Sequence, residues 1–292
     1  MRIGITGATG FIASHLIPRL RENAHTCVAF TRDASRGVDG CAETRTIHSE
    51  TPPDSRGLDA IVNLAGESIQ GRWTEAKKKR IRESRVHFTQ SLVAALPRSE
   101  VRVLVSASAT GIYGDRGDEV LPESAPRGTG FLADVSEEWE TAARGAEAHG
   151  VRVALPRLGF VIAPRGGAMD KIRPLFRLGL GGRLGSGKQW MPWVHLGDVC
   201  GVIIHLLENE NLHGAFNAVA PHPVTNAEFT QTLAAALHRP AILPVPALAL
   251  RLALGELSSL VLDSARAVPE RTIAGGYTFL HAELAPALAV WL

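Results

Sequence analysis

Cysteine is scarce in this chain, and three residues of it exclude two ways of building a protein. Cys27, Cys41 and Cys200 stand far apart with no metal-ligand spacing, and an odd number argues against a disulfide framework. Cys27 and Cys200 lie in apolar runs and read as small buried hydrophobes. A dominant charge is missing too. Lys and Arg total 31 against 29 Asp and Glu, a net charge of +2, which is too balanced to indicate nucleic acid or an anionic membrane as partner. No uninterrupted membrane-length run exists: the longest apolar stretch, 241–254, is broken by Pro244, Pro246 and Arg251. No basic-plus-apolar leader precedes the first strand, so a signal peptide is not expected and the expected compartment is cytoplasmic. There is no internal repeat and no low-complexity tail. A chain of 292 residues can bury a large core, as one big domain or a domain plus a lobe.

What is present is concentrated at the N-terminus. In Arg2-Ile3-Gly4-Ile5-Thr6-Gly7-Ala8-Thr9-Gly10-Phe11-Ile12-Ala13 an apolar run meets a glycine turn that opens into an amphipathic pattern. This is the order of strand, phosphate loop and helix in a dinucleotide-binding unit. Gly7 permits the tight turn, and Gly10 lets the backbone approach a pyrophosphate with no Cβ in the way. The helix starting near Phe11 offers free N–H groups and a positive dipole end. The third glycine of the usual pattern is replaced by Ala13, still small enough for helix to pack on strand.

Downstream, strand-like runs at 2–6, 26–30, 59–64, 101–106 and 151–156 alternate with helical patterns at 11–22, 73–96 and 133–148. Such alternation predicts an α/β fold, a Rossmann doubly wound parallel sheet with helices on both faces. After residue 160 the texture changes. Glycine-rich loops at 166–167 and 179–187 flank a helical pattern near 169–178, followed by helices at 197–208, 226–237 and 246–254 and a strand near 215–219. We therefore expect an NADP-binding domain at 1–160 and a smaller C-terminal α/β substrate lobe at 161–292, in which 240–292 forms a small helical segment. That lobe should lie over the carboxyl edge of the sheet, where ligands bind in such folds.

The second strand bears on the choice of cofactor. It runs into Thr31-Arg32, and a guanidinium suits the 2′-phosphate of NADP. Asp33 is the competing reading, because an acid facing the ribose would favour NAD. A basic helix follows, in which Lys78, Arg82 and Arg85 share one side and one or two of them are expected to reach the adenosine phosphate.

Taken together, Gly4–Ile12, Asn63-Leu64-Ala65-Gly66-Glu67, Gly71-Arg72-Trp73, Ser84-Arg85, Ser106–Gly114, Trp139-Glu140, Gly179–Gly182, Gly185-Ser186-Gly187 and Trp193–Asp198 make a specific set. With Thr225–Phe229, Pro269 and Gly275-Gly276-Tyr277, the chain resembles, over nearly its whole length, the atypical epimerase-like branch of the extended short-chain dehydrogenase/reductases. The resemblance implies a Rossmann fold and NADP(H). It implies cofactor contacts at Gly7, Thr9, Gly10, Phe11 and Ile12, at Thr31 and Arg32, at Leu64, Ala65 and Gly66, at Arg80 and Arg85, and at Ser106 and the backbone near Phe160.

The parent superfamily uses a Tyr-x-x-x-Lys pair for proton transfer, and this chain has none. Its two tyrosines, Tyr113 and Tyr277, have Gly117 and His281 four residues on. With Glu140 marking the register, the tyrosine and lysine slots hold Leu132 and Ser136, neither able to do the chemistry. Candidate replacements are Ser108, just after the fifth predicted strand, Tyr113 in the same loop and His195, which titrates near neutrality. Each also has a structural reading: a packed tyrosine, or a histidine beside the capping Asp198. Glu67 reads either as a ligand-facing acid or as a helix-terminus acid. Met169, Gln189 and Trp193 are expected to line a pocket for a small-molecule substrate, with Trp190 as a further wall and Arg157, Lys171, Arg173 and Lys188 nearby for a phosphate or carboxylate. Two classes remain open at this point: an NADP-dependent oxidoreductase or epimerase-like catalyst on a small carbonyl or sugar-like substrate, and a non-catalytic NADP(H)-binding redox sensor or scaffold. Oligomeric state is not readable from the sequence.

Overall fold

A computed structural model describes residues 1–35, 37–47 and 52–289. Seven parallel strands form the main sheet: β1 (Arg2–Thr6), β2 (Thr26–Thr31), β3 (Glu43–Thr46), β4 (Ala60–Asn63), β5 (Val103–Ser106), β6 (Arg152–Leu158) and β7 (Gly214–Ala218). Their order across the sheet is β7-β6-β5-β4-β1-β2-β3, and a short continuation of β5, Ser108–Ala109, pairs with the end of β6. Every pairing is parallel, and the order reverses between β1 and β4. That reversal opens a crevice at the carboxyl ends of the strands.

The principal helices are α1 (Phe11–Glu22), α2 (Glu75–Arg82), α3 (Phe88–Ala95), α4 (Phe131–Arg144), α5 (Met169–Arg177), α6 (Leu196–Glu208), α7 (Asn226–Ala236) and α8 (Ala247–Leu254). A five-residue π-helical turn, Glu83–His87, joins α2 to α3. The strands are apolar because both faces of the sheet are covered. On one face Ile3, Ile5, Val62, Val105 and Ala154 pack with Leu16, Leu20, Val199 and Ile203 of α1 and α6. On the other, Phe30, Ile61, Leu104 and Leu155 pack with Leu92 and Val93 of α3. A third core fills the C-terminal lobe around Met169, Phe176, Trp193, Phe229 and Leu284.

Two features differ from the sequence reading. β3 was not foreseen: Glu43-Thr44-Arg45-Thr46 has no apolar residue, and as an edge strand it needs only backbone pairing to β2. The expected boundary at 160 also does not separate sheet from lobe. α6 packs on α1, and β7 returns to pair with β6, so part of the second half of the chain completes the first domain.

Below the crevice a buried polar chain ties β1, β4, β5, α3 and α4. Thr6 Oγ1 donates to Asn63 Oδ1 at 2.7 Å and accepts from the backbone N–H groups of Leu64 and Ala65. Asn63 Nδ2 donates to Thr89 Oγ1 at 2.9 Å and Ser106 Oγ at 3.0 Å, and Trp139 Nε1 also donates to Thr89. Buried polar groups deprived of their partners keep the full desolvation cost. Asn63→Ala is therefore expected to destabilise the fold by about 1–3 kcal/mol, read as a lower denaturant midpoint at unchanged slope.

Candidate functional site: a dinucleotide cradle at the sheet crevice

The loop after β1 has the shape the sequence demanded. Gly7 has φ +64°, and a Cβ there would lie 2.7 Å from the Leu64 carbonyl oxygen. The Gly10 N–H donates to the Gly7 carbonyl at 2.8 Å, and a Cβ on Gly10 would come within 2.9 Å of that same oxygen. Gly10 is the N-cap of α1 and offers no side-chain cap, and the first turn carries no acid. The helix thus ends in backbone donors with no anion of its own, a cradle fitted to phosphate. Thr9 is exposed, whereas the Ile12 side chain packs on the core. Phe11 adds a clamp: its ring presses on the Gly166–Gly167 turn, where a Cβ would sit 2.5 or 2.8 Å from ring atoms.

At the β2 end, Asp33 is committed to its own turn, accepting from the backbone N–H and hydroxyl of Ser35, which hold its carboxyl below the usual range. Thr31 Oγ1 donates to the Asp33 carbonyl. Arg32 makes no ion pair within 4 Å among the described residues, and its charge reaches Glu67. Glu67 is held chiefly by Lys77, whose Nζ lies 2.7 Å away and lowers the Glu67 carboxyl, with Arg80 at 3.8 Å.

Arg85 has a structural role here. Its Nη1 donates to the carbonyls of Glu67 and Ile81, and its guanidinium lies 5.3 Å over the Trp139 ring. Burial pushes its pKa down to about 10. Through Nη1 it props the Leu64–Glu67 loop, beside Gly66, from within the protein, while its other guanidinium nitrogens take no acceptor among the described residues. Lys78 pairs with Glu75 and Glu256, and Arg82 with Glu138, so the aligned basic face is used internally. Ser106 is fully buried in the Asn63 chain, and its hydroxyl faces that chain.

The three residues expected for catalysis each make hydrogen bonds within the protein. Ser108 Oγ donates to Glu140 at 2.8 Å. Glu140 also receives Arg157, with Nε to Oε1 at 2.7 Å and Nη2 to Oε2 at 3.1 Å. Arg157 Nη1 donates to the Tyr113 hydroxyl at 2.9 Å, and that hydroxyl donates to Asn217 Oδ1 at 2.8 Å. Tyr113 has no exposed surface, and burial raises its pKa, so it is a structural member of this chain and not a poised acid. Arg157, expected near a substrate anion, has Glu140 as its anion instead. His195 is the N-cap of α6, its Nδ1 accepting from the Gly197 N–H at 3.1 Å, while Nε2 is buried without a partner. Burial, His281 with its ring centroid 3.9 Å away, and Arg19 push the His195 pKa down to about 4, so it is neutral at pH 7.

The expected substrate residues are buried. Met169 and Trp193 are 1% and 0% exposed in the lobe core, and Gln189 Nε2 ties the Leu184 and Val261 carbonyls together. Trp193 Nε1 donates to the His222 carbonyl, and Phe160 stacks edge-on with Phe229 at 5.7 Å. Large apolar side chains were worth more inside the lobe than on a wall. Trp190 is tied down as well, donating to Asp118 beneath the Arg266 guanidinium. Leu132 packs against Gly111 in a cluster with Trp73, Ile81 and Phe131, and Ser136 is buried. Neither tyrosine hydroxyl meets a lysine: Tyr277 bonds Asp198, which also takes the backbone N–H groups of Leu280 and His281. Asn63, Glu123 and Asn217 escaped the sequence reading as structural polar residues. Their only signal was a polar side chain inside or beside an apolar strand.

Sheet order, glycine turn and uncapped helix at the switch point define a Rossmann-type dinucleotide-binding protein. Residues 3–218 match the NAD dependent epimerase/dehydratase family, and residues 245–290 match a domain of unknown function, DUF1731. The chain belongs to the NAD dependent epimerase/dehydratase family, within the extended short-chain dehydrogenase/reductases. It is 40% identical over 288 residues to an epimerase family protein of Mycobacterium tuberculosis, covering 98% of this chain and 96% of that one. The crystal structure of human epimerase family protein SDR39U1 with NADPH superposes with a TM-score of 0.92 at 34% identity, covering 99% of this chain and 98% of the other. A nucleoside-diphosphate sugar epimerase from Corynebacterium glutamicum superposes with a TM-score of 0.82 at 31% identity, over 99% of this chain and 57% of that protein.

Two measurements check the electrostatics. Arg157→Met leaves the buried Glu140 with the half-exposed Arg144 as its one cation and the Ser108 hydroxyl as its other partner, and should cost about 3–5 kcal/mol in denaturant unfolding. For His195 the folded pKa lies below the unfolded one, so the unfolded chain takes up the proton first and stability falls as pH drops from about 6.5 towards 4. His195→Asn keeps an acceptor for the Gly197 N–H, and should flatten the thermal-stability profile across that window.

Proposed function

We propose that this chain is an NADP(H)-dependent, epimerase-like oxidoreductase that acts on a small carbonyl or sugar-like substrate without a tyrosine–lysine acid. The observation that carries the cofactor assignment is the pairing at the end of β2: Arg32 makes no ion pair among the described residues while Asp33 is spent on its own turn. A guanidinium free to meet a 2′-phosphate beside an uncapped glycine-lined helix fits the phosphorylated dinucleotide better than the plain one. The NADPH bound by the human relative and the sugar nucleotide chemistry named for the Corynebacterium protein support the same reading. NADP(H), when bound, supplies hydride chemistry. The protein part supplies position: Gly7, Gly10 and the α1 N-terminus for phosphates, Arg32 and Arg80 for the adenosine end. Ser108 stands at the carboxyl end of the β5 line, where a substrate oxygen would compete with Glu140 for its hydroxyl.

A second reading, a non-catalytic NADP(H)-binding sensor, is favoured by one fact: Tyr113 and His195 are both held in structural hydrogen bonds. Isotope transfer separates the two. Under the enzyme reading, NADPH deuterated at C4 loses its label to one of a panel of aldehydes, ketones and 4-keto sugar nucleotides; under the sensor reading no label moves. For the cofactor itself, NADPH is expected to bind at least about tenfold more tightly than NADH, and Arg32→Ala to remove that preference. Gly10→Val should abolish binding of both while the fold survives, as judged by titration and circular dichroism. Equal affinities in the parent protein would overturn the NADP assignment.

A further inference from the structure

The near-neutral total charge conceals a local asymmetry. Segments 171–188 and 238–255 together carry seven Lys and Arg and no Asp or Glu, which leaves the rest of the chain net negative. These two segments lie side by side. Arg239 Nε donates to the Arg177 carbonyl, the Val245 N–H to the Arg183 carbonyl, and the Gly185 N–H to the Val245 carbonyl. The face they form is apolar and bare. Leu252 is 77% exposed, Ile242 76%, Leu178 73% and Leu248 68%, with Leu180 and Leu243 also exposed. Leu248 and Leu252 lie one turn apart on α8, which has no buried residue at all. A surface helix normally turns its leucines inward; here Leu250 and Leu254 are half-buried while Leu248 and Leu252 are exposed to solvent.

The cations around this face are exposed. Arg177, Arg183, Lys188 and Arg251 make no salt bridge among the described residues; Asp263, half-buried, is the acid that feels the Arg251 charge. Bare leucines with a rim of unpaired cations, and with Glu256 just beyond α8 already paired to Lys78, match the chemistry of an interfacial, not a spanning, lipid contact. No helix among the described residues is long and apolar enough to cross a membrane. We propose that the face formed by α8 and segments 178–185 and 240–246 docks on an anionic lipid surface, with Leu248 and Leu252 entering the headgroup region and the arginines meeting lipid phosphates. This conclusion is independent of the cofactor assignment.

Co-sedimentation of the full chain with vesicles of phosphatidylcholine, alone or mixed with phosphatidylglycerol, tests it. Binding is expected only to the mixed vesicles, and should weaken as salt rises. The Leu248→Glu, Leu252→Glu double variant and the Arg177→Glu, Arg251→Glu double variant should each lose roughly tenfold or more in vesicle affinity, while both retain NADPH binding as evidence of an intact fold. Absence of binding to anionic vesicles at low salt overturns the proposal, as does equal binding to both vesicle types. Self-association in sedimentation velocity that Leu248→Glu abolishes, with no vesicle binding, would assign the face to a second copy of this chain instead.

Discussion

The interaction on which the two halves of this protein depend is the buried pair of Glu140 and Arg157. Their side chains are 2% and 8% exposed, so neither charge is solvated and each must be answered by the other and by hydrogen bonds. The answers come from every direction. Ser108, at the end of the β5 line, donates to Glu140, and Arg144, one turn along α4, reaches its second oxygen. Arg157, on β6, donates to Tyr113 and to the Glu123 carbonyl. Tyr113 passes the chain to Asn217 on β7, whose N–H meets the Glu123 carboxylate, which also caps the Arg271 and Thr272 N–H groups. Burial alone would raise the Glu140 carboxyl; Arg157 and Ser108 instead keep it low and ionised. The nucleotide domain and the C-terminal helices thus share one polar core.

That core accounts for the unusual chemistry of the crevice. On α4 the slots two turns and one turn before Glu140 hold Leu132 and Ser136. Leu132 has turned this face of the helix apolar, packing on Gly111 and joining Trp73, Phe131 and the C-terminal Leu257. The helix carries the acid that organises the interior, and at the two positions before it stand residues that cannot move protons at a substrate. Other hydroxyls near the carboxyl edge serve the interior as well: Thr6 and Ser106 serve Asn63, and Tyr113 serves Arg157 and Asn217. What stays available to a ligand is backbone at the α1 N-terminus and exposed cation at Arg32 and Arg80, a distribution suited to holding a dinucleotide.

Much of this was legible in the residues. The β1 loop was readable to the glycine, because a positive φ at Gly7 and a close approach at Gly10 leave little else possible. Strands buried on both faces appear as apolar runs, so six of the seven strands and all the principal helices were found, the long basic stretch as one helix rather than two. β3 was not, since a polar edge strand owes its existence to its neighbour. The site residues were less legible, and for one reason. Met169, Trp193, Gln189, Arg85 and Tyr113 look the same in sequence whether they line a pocket or fill a core; burial and partners decide between the two, and these are set by residues such as Phe229, Glu67 and Asn217, distant in the chain. Local sequence by itself determined the dinucleotide cradle and the missing proton-transfer pair, because both depend on side chains a few positions apart. The tertiary structure alone decided which polar groups are consumed by the interior and which leucines are left bare, because a charge finds its counterion, and an apolar surface its cover, only when the whole chain has folded.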